Sequence, residues 1–208
     1  KGVADPVNYG KVYSGRAFSF DGTNDYVDCG NLGLSDTSGS ITAWINISAS
    51  ATADGIIISG CDDSSSSNAM FFYYDEPGEQ LAVVGNTGNK TKGGTTGLND
   101  GKWHHVALVS NGSAYSIYLD GVAESLTVES GSNNGDWWGD ISGIDLWTIG
   151  IHDKTTDPFK GKLSNIGIWN TVLTQTQIQE LYTNPEMQLP TGVSASNLKG
   201  AWMLNEGA

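Results

Sequence analysis

Apolar and polar residues alternate with a period of two along most of this chain. The clearest run is Trp103 to Val109, and Ser116 to Leu119 repeats the alternation before Asp120-Gly121. A period of two is that of a half-buried strand, and Asp-Gly is a tight-hairpin signal. With the Asn111-Gly112-Ser113 turn between them, the two runs predict an antiparallel pair. Residues 16–20 alternate likewise, turn at Asp21-Gly22-Thr23-Asn24, and return through 25–29. Residues 40–47 set Ile41, Ala43, Ile45 and Ile47 on one face and Trp44 on the other, which predicts a strand covered on both sides. Residues 55–59 read as a short buried strand, 70–74 as an aromatic one, and 80–84, 146–151 and 159–169 as further strands. The polar run 62–68 and the stretches 85–101 and 129–143 read as loops, the second with room for a short strand.

One helix breaks the pattern. Thr174 with Gln177 has the form of a capping box, Ile178, Leu181 and Tyr182 follow as an apolar stripe, and Pro185 ends it. Short strands without interleaved helices predict an all-β fold: a two-sheet antiparallel β-sandwich with one short C-terminal helix.

Several of these segments resemble the laminin-G-like, concanavalin-A-like jelly-roll family, in the same order, over most of residues 15–182. They are Phe18–Val27 with its "FDGTNDYV", Ser40–Ile45, the "GKWHHVA" and "YLDG" halves of the central hairpin, Thr148-Ile149-Gly150, Phe159–Leu163 and the closing helix. The resemblance implies a jelly-roll sandwich spanning 1–184, acting outside cells or on a cell or virion surface, most often in recognition of sugars or proteins. Residues 185–197 then read as a linker. Residues 198–208 resemble the strand that in the family precedes the "FDG" strand. That displaced strand reads either as the start of a next repeat or as a permuted closing strand, docked within the chain or onto a second copy.

Composition narrows the function. The 208 residues carry 23 acidic and 10 basic side chains, a formal net charge of −13. Such a surface repels phosphate backbones and anionic membranes, so nucleic acid and membrane insertion are not expected. A glycan or a neighbouring protein module is the expected partner. Cys29 and Cys61 are the only cysteines, and they read equally as a bridge or as two thiols.

Candidate chemistry is sparse. Trp137 and Trp138 sit in a polar loop with Asp136, Asp140, Asn133 and Asn134. Adjacent indoles among Gly and polar residues are hard to bury together. One of them is therefore expected at the surface as a stacking platform for a sugar ring, with the carboxylates and amides bonding to hydroxyls. Asp21, Asn24 and Asp25 place oxygen ligands within one turn, as calcium requires. The family resemblance implies a structural calcium near this turn and the late strand, where Asn165 stands. In that strand Ser164 and Asn165 replace the acidic pair common in the family, which reduces the charge available for an ion. Adjacent histidines on a strand face opposite sides, so His104 and His105 do not converge on one metal. No segment carries alternating carboxylates on one strand as glycoside hydrolases of related fold do, and no nucleophile elbow is present, so no enzymatic activity is expected.

Overall fold

The structure, a computed structural model, describes residues 17–204. Among these residues run fourteen strands: β1 (Phe18–Asp21), β2 (Val27–Gly30), β3 (Gly39–Ile47), β4 (Gly55–Asp62), β5 (Ser65–Asp75), β6 (Gln80–Val84), β7 (Lys90–Lys92), β8 (Trp103–Ser110), β9 (Tyr115–Leu119), β10 (Val122–Ala123), β11 (Thr127–Ser130), β12 (Leu146–Ile149), β13 (Lys160–Trp169) and β14 (Leu198–Trp202). All pair antiparallel, in two seven-stranded sheets. The first runs β1–β13–β3–β8–β9–β10, with β14 also on β13. The second runs β11–β7–β6–β5–β4–β12–β2. The β-sandwich expected from the alternation is the fold observed.

The core lies where the inner faces meet. Ile41, Ala43, Ile45 and Ile47 of β3, Val106 and Leu108 of β8, and Ile166 and Ile168 of β13 face Met70, Phe72 and Tyr74 of β5 and Leu81 and Val83 of β6. These residues are buried, and removing apolar area from water on this scale is the main driving force for folding.

The outer face of the first sheet is covered by α1 (Gln175–Thr183). Thr174 caps it: its hydroxyl accepts from the Gln177 N–H at 3.3 Å, and Gln177 Oε1 accepts from the Thr174 N–H at 2.9 Å. Ile178 and Leu181 then pack with Ala107, Val109, Trp169 and Leu173. Trp44, on the opposite face of β3 from the isoleucines, stacks on Tyr182 with ring centres 5.8 Å apart. His104 and His105 face opposite ways, as the strand period requires. The His104 ring meets Asp120 at 2.9 Å and Asp100 at 3.4 Å. Burial alone would push its pKa down, but these two carboxylates hold it above the usual histidine value. His105 is enclosed beside Trp44, and burial pushes it down to about 4.

Some boundaries differ from the sequence reading. The polar run 62–68 is mostly strand: Asp62 pairs with Ser65 and Cys61 with Ala69, so β4 and β5 form a hairpin that turns at Asp63-Ser64. Ladder hydrogen bonds do not depend on side-chain polarity, which is why composition hid this extension. The short strand allowed for within 85–101 is β7, and residues 127–130, at the border of the expected 129–143 loop, pair with it as β11.

Cys29 and Cys61 are free thiols. They lie on β2 and β4, with β12 between them. Two strand spacings are about 10 Å, beyond the reach of a disulfide.

β14 answers where the displaced strand goes. It pairs with the C-terminal half of β13, Trp202 opposite Ile166 and Leu198 opposite Trp169. β1 pairs with the N-terminal half, Phe18 opposite Leu163 and Asp21 opposite Lys160. The two strands therefore lie end to end along one edge and run in the same direction, with β14 leading into β1. The switch falls at Asn165, whose φ is 47°, a left-handed conformation that Asn tolerates better than most residues. Its N–H donates to the Met203 carbonyl, and its side-chain amide donates to the Pro185 carbonyl. Removing residues 198–208 uncovers β13 and the partly buried Trp202 and Leu198 contacts. We expect a loss of about 3 kcal/mol or more, roughly 6–12 °C in melting temperature by circular dichroism. An unchanged melt would mean that β14 contributes nothing to the fold.

Candidate functional site

The loop that carried the leading ligand expectation is a plug. Trp137 and Trp138 are each 1 % exposed and belong to the central core. Their rings lie 5.0 Å apart, and Trp138 meets Trp147 edge-on at 6.4 Å. The sheets make room with glycine. A Cβ on Gly60 would stand 2.6 Å from Trp138 Nε1, and one on Gly39 2.8 Å from Trp137 Nε1. The expected stacking platform is therefore corrected: both indoles close the end of the sandwich.

The four polar residues around them hold the plug in place. Asp140 Oδ2 accepts from the Trp137 N–H at 2.8 Å. Asn133 serves as a strand partner for Tyr115, accepting from its N–H at 2.6 Å and donating to its carbonyl at 3.2 Å. Asn134 Oδ1 accepts from the Asp136 N–H at 3.4 Å, and the Asp136 carbonyl accepts from the Tyr115 hydroxyl. The signal missed in the sequence was the set of glycines at 39 and 60, which only the pairing brings to the indoles.

The metal set does not converge. Asp21, Asn24 and Asp25 share one exposed turn, where Asp21 Oδ1 accepts from the Thr23 N–H at 2.7 Å and Asp25 Oδ2 from the Asp21 N–H at 2.9 Å. Asn165 lies five residues along β13 from Lys160, the partner of Asp21, or about 17 Å away. A calcium ion bound at about 2.4 Å cannot be shared across that distance. Among the described residues, no three His, Cys, Asp or Glu side chains form a metal-binding group.

A different group of residues comes together on the outer face of the second sheet. Strand alternation brings Phe71, Tyr73 and Asp75 of β5, Ala82 and Val84 of β6, and Lys90 and Lys92 of β7 to that side. Register places Phe71 beside Val84 and Val84 beside Lys90, with Tyr73, Ala82 and Lys92 in the next row. Three rings line up. Phe71 stands 5.2 Å from Tyr73 and 5.0 Å from His152, which the loop after β12 lays over the sheet. His152 Nδ1 and the Ser59 hydroxyl share a 2.8 Å hydrogen bond that fixes this loop. Phe71 remains half-buried, while Tyr73 and His152, 3 % and 8 % exposed, are buried against it.

Beside the rings is a charge network. Lys90 Nζ is 2.6 Å from Asp75 Oδ1 and 3.5 Å from Glu129 Oε1. Lys92 Nζ is 2.7 Å from Asp75 Oδ2 and also contacts Glu129 Oε2. The Tyr73 hydroxyl donates to Asp75 at 3.0 Å, and Lys90 sits over the Tyr73 ring at 5.7 Å. Asp75 itself is fully enclosed. Burial alone would raise its pKa, but the two ammonium groups and the phenol hold it below the ordinary carboxylate range. The face thus sets one half-buried ring, Phe71, beside fixed donors and acceptors. The sequence signals for it were the alternations Phe71-x-Tyr73-x-Asp75 and Lys90-x-Lys92, which show a shared face but not that the two faces are one.

Comparison with known proteins adds to this geometry. The family profile of the concanavalin A-like lectin/glucanases superfamily, of laminin-G type, matches residues 21–179. A protein of Bacteroides ovatus described as carbohydrate binding superposes with a TM-score of 0.63 at 22 % identity, over 92 % of this chain and 52 % of its own. The sialidase CBM40 domain of Ruminococcus gnavus, solved with α2,3-sialyllactose, gives a TM-score of 0.63 at 12 % identity, over 80 % of this chain and 96 % of its own. The sushi, von Willebrand factor type A, EGF and pentraxin domain-containing protein 1 of Rattus norvegicus is 29 % identical over 101 residues, 46 % of this chain and 3 % of that protein. The chain therefore spans about half of the Bacteroides protein and a small part of the rat protein. No helix among the described residues is long and apolar enough to cross a membrane.

The Asp75 network gives a pH-dependent prediction. Because its folded pKa is depressed, its ionisation stabilises the fold above the unfolded carboxylate value near 4, and that stability is lost as pH falls through the lower folded value. Asp75→Asn is expected to cost about 3 kcal/mol at pH 7, and its deficit against the parent should shrink below pH 4. Urea melts of both proteins at pH 7 and pH 3 measure this. A deficit independent of pH would mean that the carboxylate charge is not what holds the network.

Proposed function

We propose that this chain, which belongs to the concanavalin A-like lectin/glucanases superfamily, is a non-catalytic carbohydrate-recognition module that acts outside the cell. The observation carrying the proposal is the row of rings His152, Phe71 and Tyr73 bordered by the Lys90, Lys92 and Glu129 network, on the face of the sandwich opposite the helix. A pyranose stacks its C–H face on the part of the half-buried Phe71 ring that is open to solvent. The ammonium groups of Lys90 and Lys92 donate to hydroxyls, and the Glu129 carboxylate accepts from them. Charge-assisted bonds of this kind are about twice as strong as neutral ones, so a small face suffices for a weak, specific contact.

Binding without cleavage follows from the same residues. Hydrolysis of a glycosidic bond needs a protonated acid and an ionised carboxylate on either side of the bond. On this face Asp75 is enclosed beneath two ammonium groups and Glu129 is committed to the same pair. Asp75, held below the ordinary carboxylate range, keeps no proton for a leaving group. The bound sugar is therefore released unchanged.

The relatives support the reading without defining the ligand. A Ruminococcus gnavus domain of similar fold was solved with a sialylated sugar, and a Bacteroides ovatus protein of similar fold is described as carbohydrate binding. Phe71→Ala removes the stacking surface while leaving the inner face of β5 intact. Isothermal titration against a glycan retained by the parent should show at least a tenfold loss, about 1.4 kcal/mol, with the melting temperature reduced by only a few degrees. Equal affinity in the variant would place the sugar elsewhere.

A further inference from the structure

We infer that Glu129 is a specificity-determining residue: its carboxylate fills the place between Lys90 and Lys92 that an acidic sugar would need, and it directs the face to neutral glycans. The inference rests on the sugar-binding reading above and adds the class of sugar.

The geometry gives the two carboxylates of the network different roles. Asp75 lies at its floor, 0 % exposed, anchored by the Tyr73 hydroxyl. Glu129 closes it from above, 45 % exposed, on the edge strand β11, whose four side chains are all exposed. Lys90 and Lys92 are 20 % and 17 % exposed, so each side chain keeps part of its surface open to a ligand. Two lysines and Asp75 alone would present one net positive charge beside an aromatic row. That is the arrangement that captures the carboxylate of a sialic or uronic acid. With Glu129 in place the four charges sum to zero.

A ligand carboxylate would have to displace Glu129. A tethered side chain competes at an effective concentration in the millimolar range, so a sugar present at micromolar levels does not win. The surroundings add to the barrier: Asp54 and Asp157 lie close enough to act on Tyr73, and the chain as a whole carries −13. A neutral sugar meets no such competition. Each ammonium has three donors and uses two of them on carboxylates, which leaves donors for hydroxyls, while Glu129 retains free lone pairs.

The test is an array of immobilised neutral oligosaccharides together with sialylated and uronate-containing ones, probed with the parent, Glu129→Gln and Glu129→Ala. Melting curves first confirm that each variant is folded, and two variants guard against one failing. The parent is expected to retain neutral glycans and pass over acidic ones. Both variants should gain about tenfold in affinity for acidic glycans at low salt, with a smaller gain as salt rises. A parent that prefers acidic glycans, or folded variants that gain nothing toward them, overturns the role of Glu129 while leaving sugar binding standing. A parent that retains no glycan of any class overturns the sugar-binding reading itself, and the inference with it.

Discussion

The burial of Trp137 and Trp138 between the two sheets is the constraint on which the rest of the structure depends. A sandwich closes along its length by stacking inner faces, but its ends are open, and water enters there unless something fills the gap. Here the 131–143 loop drives two indoles into that gap, against Trp147 and over the glycines at 39 and 60. Truncating a buried aromatic of this size typically costs about 3–5 kcal/mol. For a domain stabilised by some 5–15 kcal/mol, two such side chains are a large share of the total. The polar residues of the loop then serve the fold, because the side chains of Asn133, Asn134 and Asp140, with the Tyr115 hydroxyl on the Asp136 carbonyl, satisfy backbone groups that the plug would otherwise strand.

The outer faces are the other surfaces open to recognition at this level of the sandwich, and the fold treats them differently. The first sheet's outer face is committed to α1 and to the 185–197 segment, which pack on Trp169 and its neighbours. The second sheet's outer face carries no helix among the described residues. It keeps a half-buried ring and a set of charges whose positions are fixed by pairing register. Fixed charges lose little entropy on meeting a ligand, and that favours this face for recognition over the flexible loops expected from the sequence. The composite edge of β14 and β1 is the other consequence of the topology. It covers β13, the strand next to the central β3, and leaves no gap in the row.

Much of the fold was legible in the chain because period-two alternation reports burial on one face directly. The strands at 40–47, 70–74, 80–84 and 103–109, the capping box at Thr174 and the double-sided covering of Trp44 all follow from local patterns. The site was less legible, for physical reasons that differ from residue to residue. One of Trp137 and Trp138 is expected at the surface because their own neighbours are polar; the room that buries both comes from Gly39 and Gly60, far away in sequence. Asp21 and Asn165 are grouped through the family resemblance, but antiparallel register separates them by five positions. Lys90, Lys92, Asp75 and Glu129 carry no local pattern that sets them apart. Only the order β5–β6–β7–β11, which no local pattern encodes, brings each lysine within 3.5 Å of both carboxylates.

The most direct test of the account is a heteronuclear NMR titration of the labelled protein with a neutral oligosaccharide that it retains. The account predicts that the amide signals of Phe71, Tyr73, Val84, Lys90 and Lys92 move with ligand, while the indole N–H signals of Trp137 and Trp138 stay where they are. Shifts confined to the 131–143 loop and its indoles, with β5 to β7 silent, would contradict it.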